Sequence, residues 1–118
     1  MTPAEISRLL SAVTLRGANE ADIQHAIACA LADAGLAANR EVDIGAAGRI
    51  DFEIPAVRLG VEVKVKGSTK EVTEQISRYA ETGRYDAVLL VTTLRRHRMP
   101  ATLCGVPILV CHLWGAVL

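Results

Sequence analysis

The sequence predicts an α/β fold with one mixed β-sheet flanked by helices, in the order α-α-β-β-β-α-β-(α)-β. Three observations predict it. "NEADIQHAIACALADAG" repeats its apolar residues with helical period, whereas "GRIDFEI" and "RLGVEVKVK" alternate apolar and polar residues with period two. "YDAVLLVTT" is a run of apolar, largely branched residues, the mark of a strand covered on both faces. The chain has 118 residues, about half of them apolar, enough for one hydrophobic core, so residues 1–118 form a single domain.

Taken in order, "PAEISRLLSAV" sets Pro3 at a helix start and carries Ile6, Leu9, Leu10 and Val13 as an apolar stripe, which "LRGA" breaks. The next helix begins at Asn19, a good N-cap, stops at Gly35, and buries Ile23, Ala26, Ile27, Ala30, Leu31 and Ala34. "NREVDIG" is a short alternating strand. In "GRIDFEI", Ile50, Phe52 and Ile54 are expected on one face, with Arg49, Asp51 and Glu53 on the other. In "RLGVEVKVK", Val61, Val63 and Val65 point inward, opposite Glu62, Lys64 and Lys66. "PAV" joins these two strands tightly, which predicts an antiparallel hairpin. "GSTKEVTEQISRYAETG" is a third helix, capped by Ser68 or Thr69, stopped at Gly83 and buried through Val72, Ile76, Tyr79 and Ala80. It crosses over to the buried strand at 86–93. "LRRHRMPATLCG" reads as a basic loop and a short helix, and "VPILVCHLW" as the last strand.

Composition narrows the function. Net charge is zero, so any attraction for a polyanion must be local. Phe52, Tyr79, Tyr85 and Trp114 are the only rings, too few for a base-stacking platform. Cys29, Cys104 and Cys111 are odd in number, form no C-x-x-C pair and sit among apolar neighbours, which predicts reduced, buried thiols. Cys111 and His112 could offer two metal ligands, but no second pair stands at zinc-like spacing. No basic stretch followed by an apolar core opens the sequence, so no signal peptide is expected. "VPILVCHLWGAVL" is too short to span a bilayer, and a cytoplasmic protein without a membrane partner is expected.

The chemistry concentrates in residues 48–68. Glu62 and Lys64 stand two apart in a strand and emerge on one face, and in a hairpin Asp51 can join them. Two carboxylates side by side disfavour each other's ionisation unless something compensates. Mg2+ or Mn2+ would compensate, accepting one or two carboxylates and leaving room for phosphate oxygens. A lysine beside them can orient an attacking water or stabilise charge on phosphate oxygens. Together these groups describe phosphodiester hydrolysis.

Asp51 followed by Glu62-Val63-Lys64 resembles the motif of the PD-(D/E)XK nuclease superfamily, with Ile50 where that family often has proline. The resemblance runs from about Asn19 to Thr93 and looks most like small stand-alone modules of phage and bacterial origin, including VRR-type nucleases and junction resolvases. It implies a restriction-endonuclease-like core and a metal-dependent deoxyribonuclease, read as an endonuclease. In that family Asp51 and Glu62 would hold the metal, with the Val63 carbonyl as a further ligand, and Lys64 would activate the nucleophile. Glu20 matches a glutamate that several branches carry on the first core helix, and Gln75 and Tyr79 match a helix glutamine and tyrosine of others. Expected DNA contacts are Lys66, Ser68 and Lys70 at a helix start, Tyr79, and Arg95, Arg96 and Arg98 in the one dense basic run.

Each of these residues also has a plainer reading. Glu62 and Lys64 could form a surface ion pair, and Glu20 could serve the helix dipole. Glu53 and Lys66 flank the site as supporting or merely solvated groups, and Glu41 or Asp43 could replace Glu20 as the extra acid. His97 is expected in the basic loop rather than as a general base, and His112 as a satisfied core residue. So small a chain would recognise DNA structure, such as a branch, act as a homodimer, for which the tail "LWGAVL" offers an interface, or work inside a larger assembly. The competing class is a catalytically inactive nuclease-fold module that binds DNA or serves assembly.

Overall fold

The computed structural model describes residues 1–15 and 19–113. Helix α1 (Pro3–Ser11) opens with a capping box: the Glu5 N–H donates to the Thr2 hydroxyl at 3.1 Å, and the Thr2 N–H donates to the Glu5 carboxylate at 2.9 Å. Val13, placed on the helical stripe, instead follows the helix end. Helix α2 (Glu20–Asp33) is capped by Asn19, whose side chain accepts from the Asp22 N–H at 2.8 Å, and it buries Ile23, Ile27 and Leu31. Most of the "LRGA" break, and the tail from Trp114 onward with its expected interface, lie outside the described residues.

Strands β1 (Asn39–Asp43), β2 (Arg49–Ile54) and β3 (Leu59–Lys64) precede helix α3 (Thr69–Glu81). Strands β4 (Ala87–Thr92), β5 (Thr102–Leu103) and β6 (Val106–His112) follow it. They form one mixed sheet in the order β1-β2-β3-β4-β6-β5. The hairpin through "PAV" is present, with Phe52 opposite Val61 and Ile54 opposite Leu59. α3 makes the expected crossover, since β3 and β4 run parallel with Lys64 beside Thr92.

Two layers of side chains hold the sheet. Ile6, Leu10, Ile23, Ile27 and Leu31 pack against Phe52, Ile54, Val61, Val63, Leu89 and Val91 on one face. Val72, Ile76, Tyr79 and Tyr85 cover Val88, Leu90 and Ile108 on the other. Every residue of β4 is therefore buried, as its apolar run requires.

Three further expectations need correction. The short helix after the basic loop is absent; Thr102 and Leu103 pair with Pro107 and Val106 around a turn in which Cys104 (φ +52°) and Gly105 (φ +76°) are both left-handed. Two such consecutive residues favour a hairpin over a helix. Cys29 and Cys104 are exposed, and Cys111 alone is buried, its thiol pushed up to about 11 by burial. Cys29 lies on α2 away from its buried Ile23, Ile27 and Leu31, and Cys104 lies in the turn between β5 and β6.

The third correction bears on the site. Ile50 does not share a face with Phe52 and Ile54 but packs with Tyr79 and Tyr85 under α3. Period two fails at Asp51, which has no ladder partner: pairing with β1 passes from Phe52 to Ile50, and pairing with β3 ends at Phe52. Glu41, skipped on β1, has φ +51°, so the two strands share a bulge-like twist. Gly60 makes room for it, because a Cβ there would stand 2.7 Å from Ile50 Cδ1. No described helix is long and apolar enough to cross a membrane.

Candidate active site

The twist that frees Asp51 from the ladder turns its carboxylate toward β3. Its Oδ2 accepts the Val63 N–H at 2.7 Å, the position a strand carbonyl would otherwise fill. The Asp51 N–H in turn donates to Glu62 Oε1 at 3.2 Å. A strand residue sends its N–H and C=O to the same side, so the Val63 carbonyl also leaves β3 toward Asp51.

Glu62 is 3% exposed and densely engaged. Its Oε2 lies 3.1 Å from Lys64 Nζ, and its Oε1 also accepts from the Tyr79 hydroxyl at 3.3 Å. Burial, then the facing Asp51 charge, pushes the Glu62 carboxyl up to about 7. The Asp51 carboxyl is raised as well, chiefly by burial, against the lowering effect of the Val63 N–H; Glu20 raises it further. Two acids and one lysine thus meet at the carboxyl end of β3, where open α/β sheets hold their ligands.

α3 supports this cluster from beneath. Gln75 Nε2 donates to the Tyr79 hydroxyl at 2.8 Å, and that hydroxyl reaches the Arg49 carbonyl at 3.1 Å. Tyr79, expected to touch DNA, is wholly buried and has no surface to offer it. It holds Glu62 instead. Burial and the Glu62 charge push its hydroxyl well above the usual range, keeping it a proton donor.

A cleft of about 190 Å³ opens beside Lys64, lined by Glu20, Lys66, Gly67, Glu71 and Gln75 among others. Glu20 is therefore brought to the site from α2, and Lys66 to its rim. Ser68 is the N-cap of α3, its Oγ accepting the Glu71 N–H at 3.1 Å, so its hydroxyl is already used locally. Lys70, Arg95, Arg96 and Arg98 are exposed. Arg96 reaches the cleft wall, with Nη2 on the Gly67 carbonyl at 3.2 Å. Glu41 and Asp43 are exposed on β1, Glu41 paired with Arg49 at 3.9 Å and the Asp43 carboxylate accepting the Gly45 N–H.

Glu53 is neither solvated nor part of this cluster. It is buried, accepts from Arg84 Nε and, at 3.0 Å, from Arg84 Nη2, and takes the Tyr85 hydroxyl at 2.5 Å. Sequence reasoning passed over Arg84 and Tyr85; their one signal was a charged-aromatic pair just before a fully apolar strand. His97 lies in the basic loop, as expected, but is fully buried. His112 is satisfied, its Nε2 lying 3.0 Å from the His97 carbonyl.

The donor set suits a hard divalent cation: two carboxylates and a backbone carbonyl, all oxygen, with the carboxylates penalised by their own proximity. Among the described residues, however, no group of three or more His, Cys, Asp or Glu side chains is arranged to hold a metal ion. The side chains of Asp51 and Glu62 would therefore share an ion with backbone and solvent, as Mg2+ commonly does. The chain matches no protein-family model, no curated protein and no solved structure.

Proposed function

We propose that the chain is a metal-dependent nuclease that hydrolyses DNA phosphodiester bonds, with a core of the restriction-endonuclease-like kind. The observation that carries this reading is the meeting of Asp51, Glu62 and Lys64, with Asp51 Oδ2 at 2.7 Å from the Val63 nitrogen and Lys64 Nζ at 3.1 Å from Glu62. As pure structure, a raised carboxyl pair is unfavourable, and a divalent cation would relieve it. When bound, Mg2+ or Mn2+ would polarise a phosphate oxygen and lower the pKa of water. Asp51, Glu62 and the Val63 carbonyl would hold it, with Glu20 assisting from the cleft wall.

Lys64 would release Glu62 to the ion and turn its ammonium to the attacking water or to a phosphate oxygen, where charge builds in the transition state. Tyr79 and Gln75 keep Glu62 in place while this happens. Lys66, Lys70 and the arginines of the basic loop would take neighbouring phosphates. Homodimer formation and preference for branched DNA belong to the same proposal.

A second reading has its own support. Glu62 is already paired with Lys64, and among the described residues no three His, Cys, Asp or Glu side chains are arranged to hold a metal ion, as a nuclease-fold module without activity would have it. Cleavage of supercoiled plasmid, linear duplex and four-way junction DNA separates the two. The nuclease cuts with Mg2+ or Mn2+, is silent in EDTA, and loses cutting in Lys64→Ala. DNA retention without cutting under any metal establishes the inactive module.

A further inference from the structure

We propose that His97 is a positioning residue that locks the arginine-bearing loop, residues 93–98, onto the Gly67 turn so that its guanidinium groups stand ready for phosphates at the rim of the Lys64 cleft. The inference rests on the nuclease reading for its substrate, but its geometry stands independently.

A histidine flanked by Arg95, Arg96 and Arg98 should be as exposed as they are, yet His97 is 0% exposed. Both its ring nitrogens are engaged: Nδ1 lies 2.6 Å from Thr92 Oγ1 and Nε2 lies 2.8 Å from the Gly67 carbonyl. A carbonyl can only accept, so Nε2 carries a proton and donates. The imidazole therefore ties together two places that matter. Thr92 is the ladder neighbour of Lys64, and Gly67 ends the turn three residues beyond it and lines the cleft. Gly67 has φ +101°, a conformation that suits glycine and sets the direction of that carbonyl.

Further bonds close the loop around the ring. The His97 N–H donates to the Leu94 carbonyl at 3.1 Å, and the Leu94 N–H donates to Thr92 Oγ1 at 3.1 Å. The Thr69 hydroxyl donates to the Arg96 carbonyl at 2.8 Å, and Arg96 Nη2 shares the Gly67 carbonyl with His97. A segment of this charge left loose would lose conformational freedom on meeting DNA. Tied at Leu94, Arg96 and His97, it has already lost much of that freedom. One carbonyl uses a single donor of the Arg96 fork, which leaves others for an anion. The engaged ring nitrogens and full burial also exclude His97 as a general base.

The test uses wild type, His97→Leu and His97→Gln, read by steady-state cleavage with Mg2+ and by the salt dependence of duplex binding with Ca2+ in place of Mg2+. His97→Leu should raise KM by at least about fivefold while kcat changes far less, and should flatten the slope of log K against log salt by about one phosphate contact. His97→Gln, whose amide can still donate to the Gly67 carbonyl, should recover most of both. Arg98→Ala, with the lock intact, should flatten the slope in the same way. Wild-type KM and slope in His97→Leu, a loss confined to kcat, or an unchanged slope in Arg98→Ala would each overturn the proposal. A wild type that binds DNA without cutting it removes the nuclease reading alone, because the salt slopes still decide the role of His97.

Discussion

Glu53 and Glu62 lie on adjacent strands, on the same face of the sheet, and both are almost fully buried, yet their surroundings push them in opposite directions. Glu53 is held below the usual carboxylate range, first by its bonds to Arg84 and then by the Tyr85 hydroxyl. Glu62 is raised to about 7 by burial and by the carboxylate of Asp51. Burial alone therefore says little about an acid's purpose. A buried acid with donors on every side fastens the fold, here joining β2 to the segment that leads into β4. A buried acid facing another acid is a place where the fold gives up stability, and such places concentrate at functional sites.

The largest effect that sharpens this contrast is on chemistry. Lys64→Ala should lower the cleavage rate by roughly 10²- to 10⁴-fold, the range for loss of a group acting in proton transfer or charge stabilisation. Circular dichroism should show the fold retained, because a partly exposed side chain is removed. Glu62→Gln should be as severe in activity, while Glu53→Gln should leave kcat within a few-fold of wild type.

Stability should show the reverse order. Glu53→Gln removes the charge facing Arg84 and one of the two acceptor oxygens shared by Arg84 and the buried Tyr85 hydroxyl, and should cost about 1–3 kcal/mol in urea unfolding. Glu62→Gln, measured at pH 8 without metal, should be neutral or stabilising, since it removes a charge set against Asp51. A marked loss of stability in Glu62→Gln, with none in Glu53→Gln, would break the comparison.

The pH dependence follows with its sign. The Glu62 carboxyl is raised in the fold from an ordinary 4.5 to about 7, so between those values the folded protein binds more protons than the unfolded chain. Its contribution to stability therefore falls as pH rises from about 5 to 8, on the order of 1–3 kcal/mol in metal-free protein. Glu53, lowered in the fold, acts the other way: its contribution is present above the ordinary carboxylate range and is lost as pH falls through its depressed folded value. Adding Mn2+ at pH 8 should recover the loss due to Glu62. Thermal melts at pH 5 and pH 8, with and without Mn2+, measure this.

Much of the site was legible because parity in a strand is a strong constraint. The spacing of Glu62 and Lys64 put them on one face, and the short "PAV" connection brought Asp51 across from them. What parity could not show was the interruption at Asp51. The same period that set Glu62 and Lys64 on one face wrongly kept Ile50 beside Phe52, since the twist involves Glu41 on β1 and the space left by Gly60. Glu53 looked equivalent to Asp51 on the polar side of one strand. Its partners Arg84 and Tyr85 lie 31 and 32 residues on, and only the crossover through α3 brings them near. His97 was hidden for the same reason: its partners Gly67 and Thr92 meet only because β3 and β4 run side by side. The two-residue strand β5 carried too short a pattern to read in either period.

The most direct test of the central claim, that Asp51 and Glu62 form a cation site and Glu53 does not, is a titration with Mn2+ at pH 8. It would be followed by electron paramagnetic resonance on wild type, Glu62→Gln and Glu53→Gln. The account predicts saturable Mn2+ binding in wild type and Glu53→Gln and its loss in Glu62→Gln. Equal Mn2+ binding by wild type and Glu62→Gln, or no binding by wild type, would contradict it.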